Sequence, residues 1–187
     1  MKRITALLLA CAFLFLCASC ASQEKTEEPE ESKTTENTAG QTSGSAAEDP
    51  ENAISMYDLR VEMLASDPSL PEMLVASSAD KFPEEQFKYL SDVDYEKVEG
   101  FFLAYAADGM AYEIAAVLMK KESDVSECEN SLKDHVKGRV ELYKNYAPEE
   151  VAKAREARVV KVGRCVALIM CDDKAAVETA MKRALAG

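Results

Sequence analysis

The sequence is short of the residues that usually carry chemistry. It has one histidine, His135. It has no Gly-rich phosphate loop, no Gly-x-Ser-x-Gly elbow and no patch where basic and aromatic residues alternate. No paired CxxC motif and no Cys/His spacing suited to zinc occurs. Asp92-Val93-Asp94 opens like a calcium loop, but no glycine follows at the required spacing. These absences leave no motif for a nucleotide, a serine hydrolase, zinc or calcium, and the sequence implies neither metal nor cofactor. Two further absences are regional. No acidic residue precedes Glu24, and residues 21–51 contain no Val, Ile, Leu, Met or aromatic side chain.

The first of these regional absences marks a leader. Met1-Lys2-Arg3 is a short positive segment, followed from Ile4 to Leu16 by thirteen uncharged, almost wholly apolar residues. A charged start and a short apolar run form the plan of a secretory signal. The run is too short for a comfortable membrane-spanning helix, which needs about 20 residues. It ends in Cys17-Ala18-Ser19-Cys20, which resembles a lipobox, the recognition site of lipoprotein signal peptidase. Ala18, Ser19 and Cys20 fit that pattern, while Cys17 stands where leucine is usual. The resemblance implies cleavage after Ser19 and a thioether-linked diacylglycerol on Cys20. Residues 1–19 are then the signal peptide. Two acyl chains hold a protein on a membrane where one binds only marginally. The expected location is the extracytoplasmic face of the cell membrane, with the membrane itself as partner through the lipid on Cys20.

The second regional absence marks a tether. Residues 20–51 comprise the lipidated cysteine and a polar, acidic stretch that cannot bury enough apolar surface to offset the entropy of ordering. Treated as a flexible coil, it has a root-mean-square span of roughly 30 Å, and its like charges extend it. Removing Lys2 and Arg3 with the leader takes the formal net charge from −12 to −14. Such a charge disfavours nucleic acid, whose phosphates need Lys and Arg, and disfavours lying flat on anionic lipid.

From about Asn52 apolar residues return and persist to Leu185, so residues 52–187 read as one domain. Apolar spacing predicts a helix over 53–65, closed by Asp67-Pro68. Leu70 to Leu74 reads as a helical turn or an irregular packed segment. Pro83 opens a further helical turn, and Asp94 caps a helix predicted from Tyr95 to about Ala106. Ala111 to Met119 reads as a strand. Ser123 is placed to cap a long helix whose stripe is Val125, Cys128, Leu132, Val136, Val140 and Tyr143. Ala147-Pro148-Glu149-Glu150 starts a short helix ending near Ala157. Residues 158–162 and 165–171, rich in β-branched side chains around Gly163-Arg164, predict a tight hairpin. A helix over 173–186 ends the chain. The fold class is α+β: a small antiparallel sheet of about three strands, including the C-terminal hairpin, with several helices on one face.

Tyr112-Glu113-Ile114-Ala115-Ala116-Val117, Tyr143-Lys144-Asn145-Tyr146-Ala147-Pro148-Glu149 and Val159 to Leu168 give the domain its resemblance. It is similar to a family of Gram-positive bacterial lipoproteins catalogued as domain of unknown function 4358. Members carry a lipobox, a polar linker and one such domain. The resemblance spans roughly residues 55–185 and is clearest from 110 to 173. Cys165 stands where an aromatic is expected. The resemblance implies no activity.

Few residues of the domain are candidates for chemistry. His135 reads as a solvent-edge histidine. Cys128 lies seven residues before it, roughly 10 Å along a helix, too far for a Cys–His pair. Cys165 and Cys171 share one side of a strand at roughly 20 Å and cannot bond to each other. The three cysteines read as small buried apolar side chains, with a bridge from Cys128 to Cys165 or Cys171 left open. Glu149-Glu150 and Asp172-Asp173 sit at predicted helix starts, where acids favour the dipole. Phe101, Phe102, Tyr105, Tyr112, Tyr143 and Tyr146 read as core, with a ligand groove as the alternative. The functional expectation is a non-catalytic, membrane-anchored module that binds an unknown envelope protein or ligand. The alternatives are a small-molecule-binding accessory of a transporter and, last, a cysteine-dependent enzyme.

Overall fold

The structure, a computed structural model, describes residues 55–186. The segments expected to be a signal peptide and a linker, with Cys20, lie outside the described residues. Five strands form one antiparallel sheet in the order β1-β2-β3-β5-β4. They are β1 (Met73–Ser77), β2 (Val98–Ala106), β3 (Glu113–Met119), β4 (Arg158–Val162) and β5 (Cys165–Met170). The helices are α1 (Met56–Ala65), α2 (Pro83–Phe87), α3 (Val125–Tyr146), α4 (Val151–Arg155) and α5 (Lys174–Leu185). The α+β class holds, with five strands rather than about three.

The two additional strands come from segments whose apolar pattern is ambiguous. Val98–Ala106 was expected to be helical. Only Tyr95–Lys97 forms a 3₁₀ turn, capped by Asp94, whose Oδ1 accepts from Glu96 N–H at 3.0 Å. The rest is β2, a central strand buried on both faces. From Phe101 to Ala106 it presents an apolar run, which periodicity alone does not separate from a buried helix. Gly100 tips the balance. It disfavours helix, and a side chain there would bring its Cβ within 2.9 Å of Met56 Cγ, so its absence lets α1 cross the sheet closely. Leu70 to Leu74 was expected to be a helical turn or irregular, but Met73 and Leu74 open the strand Met73–Ser77. It is the edge strand β1, whose pairing with β2 supplies the order.

The elements after residue 110 follow the expected β-α-α-β-β-α order. The hairpin β4–β5 turns at Gly163, where φ is +53° and glycine avoids the penalty other residues incur. Ser123 does not cap α3. It lies in a 3₁₀ turn over Glu122–Asp124, and α3 starts at Val125 without a side-chain cap bond. Asp173 does cap α5, accepting from Ala176 N–H at 2.9 Å.

Helices pack on both faces of the sheet, not on one. Side chains alternate along a strand, and β3 and β5 sort accordingly. Ala115, Val117, Val166, Leu168 and Met170 join the core under α3. Ile114, Ala116, Cys165, Ala167 and Ile169 join a second core under α1 and α5. Helices on one face were expected, but the apolar runs Phe101–Ala104 in β2, Ile114–Met119 in β3 and Cys165–Met170 in β5 already require cover on both sides. None of the helices among the described residues is long and apolar enough to cross a membrane.

Candidate functional site

The face under α3 carries one residue that breaks its apolar row. The register sets Leu74, Tyr105, Glu113 and Met170 side by side across β1, β2, β3 and β5. Glu113 is 3% exposed. A buried carboxylate requires partners, since an uncompensated ion in a low-dielectric interior is costly. Both partners come from α3, one turn apart. His135 Nε2 lies 2.6 Å from Glu113 Oε1. An ionised carboxylate only accepts, so this ring nitrogen donates. Arg139 Nε lies 3.2 Å from Glu113 Oε2. That N–H is not directed at the carboxylate and finds no other acceptor, so the attraction is that of charges rather than of a formed hydrogen bond.

Arg139 is held on its other side as well. Its Nη2 donates to the Tyr143 hydroxyl at 2.7 Å, and its guanidinium lies 5.0 Å from the Tyr143 ring centre. Tyr143 is fully buried, and burial pushes its phenol pKa up, so the group stays an O–H donor. It donates to Met110 C=O at 3.0 Å. The next N–H, that of Ala111, donates to Glu150 Oε2 at 2.9 Å. The loop entering β3 is therefore fixed by α3 and the turn after it, and this fixes Glu113.

Beside this network the sheet is open. Helix α2 packs near β1 and α3 covers β3 to β5, leaving a cleft of about 450 Å³ between them. Its floor is Leu103 and Tyr105 of β2. Glu113, His135 and Arg139 form one end, and Gln86 and Tyr89 from the α2 side form the other. Tyr89 is 73% exposed and Tyr105 38%. Arg139 Nη1, His135 Nδ1 and the Gln86 amide make no hydrogen bond among the described residues, and none is a sealed orphan. The cleft thus presents polar edges held in place by groups behind them.

The sequence residues distribute unevenly. His135 is not a solvent-edge histidine: its side chain is 16% exposed and paired with Glu113. Its placement is a tertiary effect, because Glu113 comes from a strand 22 residues earlier. The signal available in the sequence was the lone carboxylate inside the apolar run from Ala111 to Met119. Of the six aromatics, Phe101, Phe102 and Tyr143 are core, while Tyr105 lines the cleft. Tyr112 donates to Asp172 at 2.8 Å and lies under Lys153 Nζ, 3.3 Å from the ring centre. Tyr146 is exposed.

The three cysteines among the described residues, Cys128, Cys165 and Cys171, are free and buried. Cys128 faces the core under α3, whereas Cys165 and Cys171 face the core under α1 and α5, so the sheet stands between them and no bridge forms. Burial pushes each thiol up to about 12. A thiol nucleophile needs the opposite shift. His135 with Glu113 has the form of a base with an orienting carboxylate. The hydroxyls of Ser91 and Ser131 nearby are bonded to each other at 2.9 Å, and neither is bonded to His135. Among the described residues no three His, Cys, Asp or Glu side chains converge as a metal site would need.

Residues 75–171, more than half of the chain, match a family described as a domain of unknown function (DUF4358). Neither a curated protein nor a solved structure matches the chain. Every strand from β2 to β5, and Glu113, His135 and Arg139 with them, lies inside the matched stretch, and the chain belongs to the DUF4358 family.

Proposed function

We propose that this protein is a lipoprotein anchored through Cys20 on the extracytoplasmic face of the membrane, and that its domain is a non-catalytic binding module. The observation that carries the binding role is the cleft between α2 and α3. Its His135 and Arg139 edges are held by a buried network, and the exposed Tyr89 stands at its far end. Side chains locked before a ligand arrives reduce the ordering cost of binding. Anchoring is supported by the lipobox-like Ala18-Ser19-Cys20 after an apolar run.

The anchor is tested by the intact mass of the membrane-extracted protein. Cleavage after Ser19 plus a diacylglyceryl group is the expected mass, and Cys20→Ala removes it. An unmodified species would remove the anchor. The binding role is tested in the membrane-bound full chain, with a photo-crosslinking residue in place of Tyr89 and, separately, of the exposed Thr179 on α5. A discrete adduct from position 89 and none from 179 is expected. Indistinguishable adducts from both positions would reject the cleft.

A second reading, a small-molecule site, is favoured by one observation. About 450 Å³ falls within the range of ligand clefts.

A further inference from the structure

Resting on the binding role proposed above, we infer that the cleft takes a neutral saccharide. The first ground is charge. Glu113 and Arg139 cancel within the cleft. In the adjoining hollow, which shares Tyr89 and His135 with the cleft, Lys88 is paired with Glu84 at 2.8 Å and Asp134 with Lys137 at 2.7 Å. The surrounding protein is net acidic. An anionic ligand gains little from this field, and a cationic ligand finds the buried carboxylate already occupied.

The second ground is the inventory of unused hydrogen-bonding groups. Arg139 Nη1 only donates. His135 turns Nε2 to Glu113 and leaves Nδ1 as the free ring nitrogen, which accepts whenever the ring is neutral. The Gln86 amide and the hydroxyls of Tyr89 and Tyr105 can do both. A set mixed in this way is matched by a ligand whose own groups both donate and accept, as sugar hydroxyls do. A purely anionic group would leave the acceptors unmatched.

The third ground is shape. Tyr105 offers aromatic surface in the floor beside apolar Leu103, and Tyr89 adds a second ring at the far end. The C–H face of a pyranose ring packs on such surface while its rim of hydroxyls reaches the polar end. A cleft of about 450 Å³ has room for one or two rings.

The test uses the mature protein extracted in detergent, observed by NMR with isotope-labelled backbone. Chitotriose, cellotriose and maltotriose are the neutral probes, trigalacturonate the charged one, and trialanine the peptide control. Saturable shifts at Gln86, Tyr89, Tyr105 and Arg139 with a neutral trisaccharide are expected. Tyr89→Ala should weaken them about tenfold or more. Its melting temperature should hold, because the ring is mostly exposed. Binding by trigalacturonate alone, or neutral binding that Tyr89→Ala leaves intact, would overturn the inference. Shifts at the same residues with trialanine but no saccharide would overturn it and leave the binding role standing. No cleft shift with any probe would remove both. Where a trimer binds, pelleting the protein with the matching insoluble polymer identifies an envelope polysaccharide, and failure to pellet identifies a free oligosaccharide.

Discussion

Helices α1 and α5 meet their side of the sheet with Leu59, Met63, Val177 and Met181, against Ile114, Ala116, Ala167 and Ile169. All eight are fully buried and none is polar. On the other side the same strand β3 offers Glu113, and α3 answers with His135 and Arg139. One face is closed mainly by apolar packing. The opposite face is packed at one end and held by charges at the other, where the cleft opens. Apolar packing gains energy by excluding water and tolerates no gap. An ionic network can border a gap, because water or a ligand can complete its hydrogen bonds. The difference teaches where a ligand can enter without unfolding a core.

The largest expected effect concerns thiols, which lie on both sides. At pH 8 the three cysteines should alkylate roughly a thousandfold more slowly than a free thiol, because burial holds each near 12. Mass spectrometry after brief iodoacetamide exposure should find no label until denaturant is added. Label on Cys128 ahead of Cys165 and Cys171 would sharpen the comparison, since it would show the α3 face opening first.

Arg139→Ala should cost about 3–5 kcal/mol, because it leaves the buried Glu113 carboxylate with His135 as its sole partner. Replacing Glu113 and Arg139 together by leucine should recover much of that loss. A chemical-denaturation double-mutant cycle reads both. A loss below 1 kcal/mol for the single variant would mean that Glu113 is not compensated in this way. On the sealed face, Ile169→Ala should cost about 3 kcal/mol through lost burial and a residual cavity. It should leave ligand binding at the cleft unchanged.

Asp67 provides a charged exception on the sealed side. It is 2% exposed and accepts from the Asp173 N–H at 3.0 Å, tying the end of α1 to the start of α5. Burial raises its pKa, but hydrogen bonds from the Ser69 hydroxyl, from the Asp173 and Ser69 N–H groups and from Cys171 outweigh this and leave it lowered. A carboxyl lowered on folding stabilises above its ordinary pKa of about 4, and that contribution disappears as pH falls through the folded value. Asp67→Ala should cost about 2 kcal/mol at pH 7. Thermal melts of the pair should converge as pH falls below about 4. A gap that stayed constant with pH would show that the carboxylate charge contributes nothing. The smallest effect is that of Tyr89→Ala, within about 0.5 kcal/mol of stability, which makes it the clean probe of the cleft.

Much of the fold was legible in the residues. α3 and the β4–β5 hairpin follow from periodicity, β-branched content and Gly163. The strand β3 was legible although its alanines favour helix. β2 was not, because burial on both faces erases the period that distinguishes strand from helix. β1 was not either, since five residues gain order only by pairing with β2. Part of the cleft could have been suspected from Glu113 alone, a carboxylate within an apolar run.

Local sequence determined the apolar stripe of α3, the β4–β5 hairpin, the α+β class, the charge balance and an N-terminal segment that resembles a lipoprotein signal. These depend on residue composition and on spacing within a few turns of chain. The sequence left three matters to the tertiary structure: which face each apolar stripe covers, that the sheet separates Cys128 from Cys165 and Cys171, and that His135 meets Glu113. Each is a relation between residues far apart in sequence. Strand order and register place such residues together, and only a core packed from both sides fixes them.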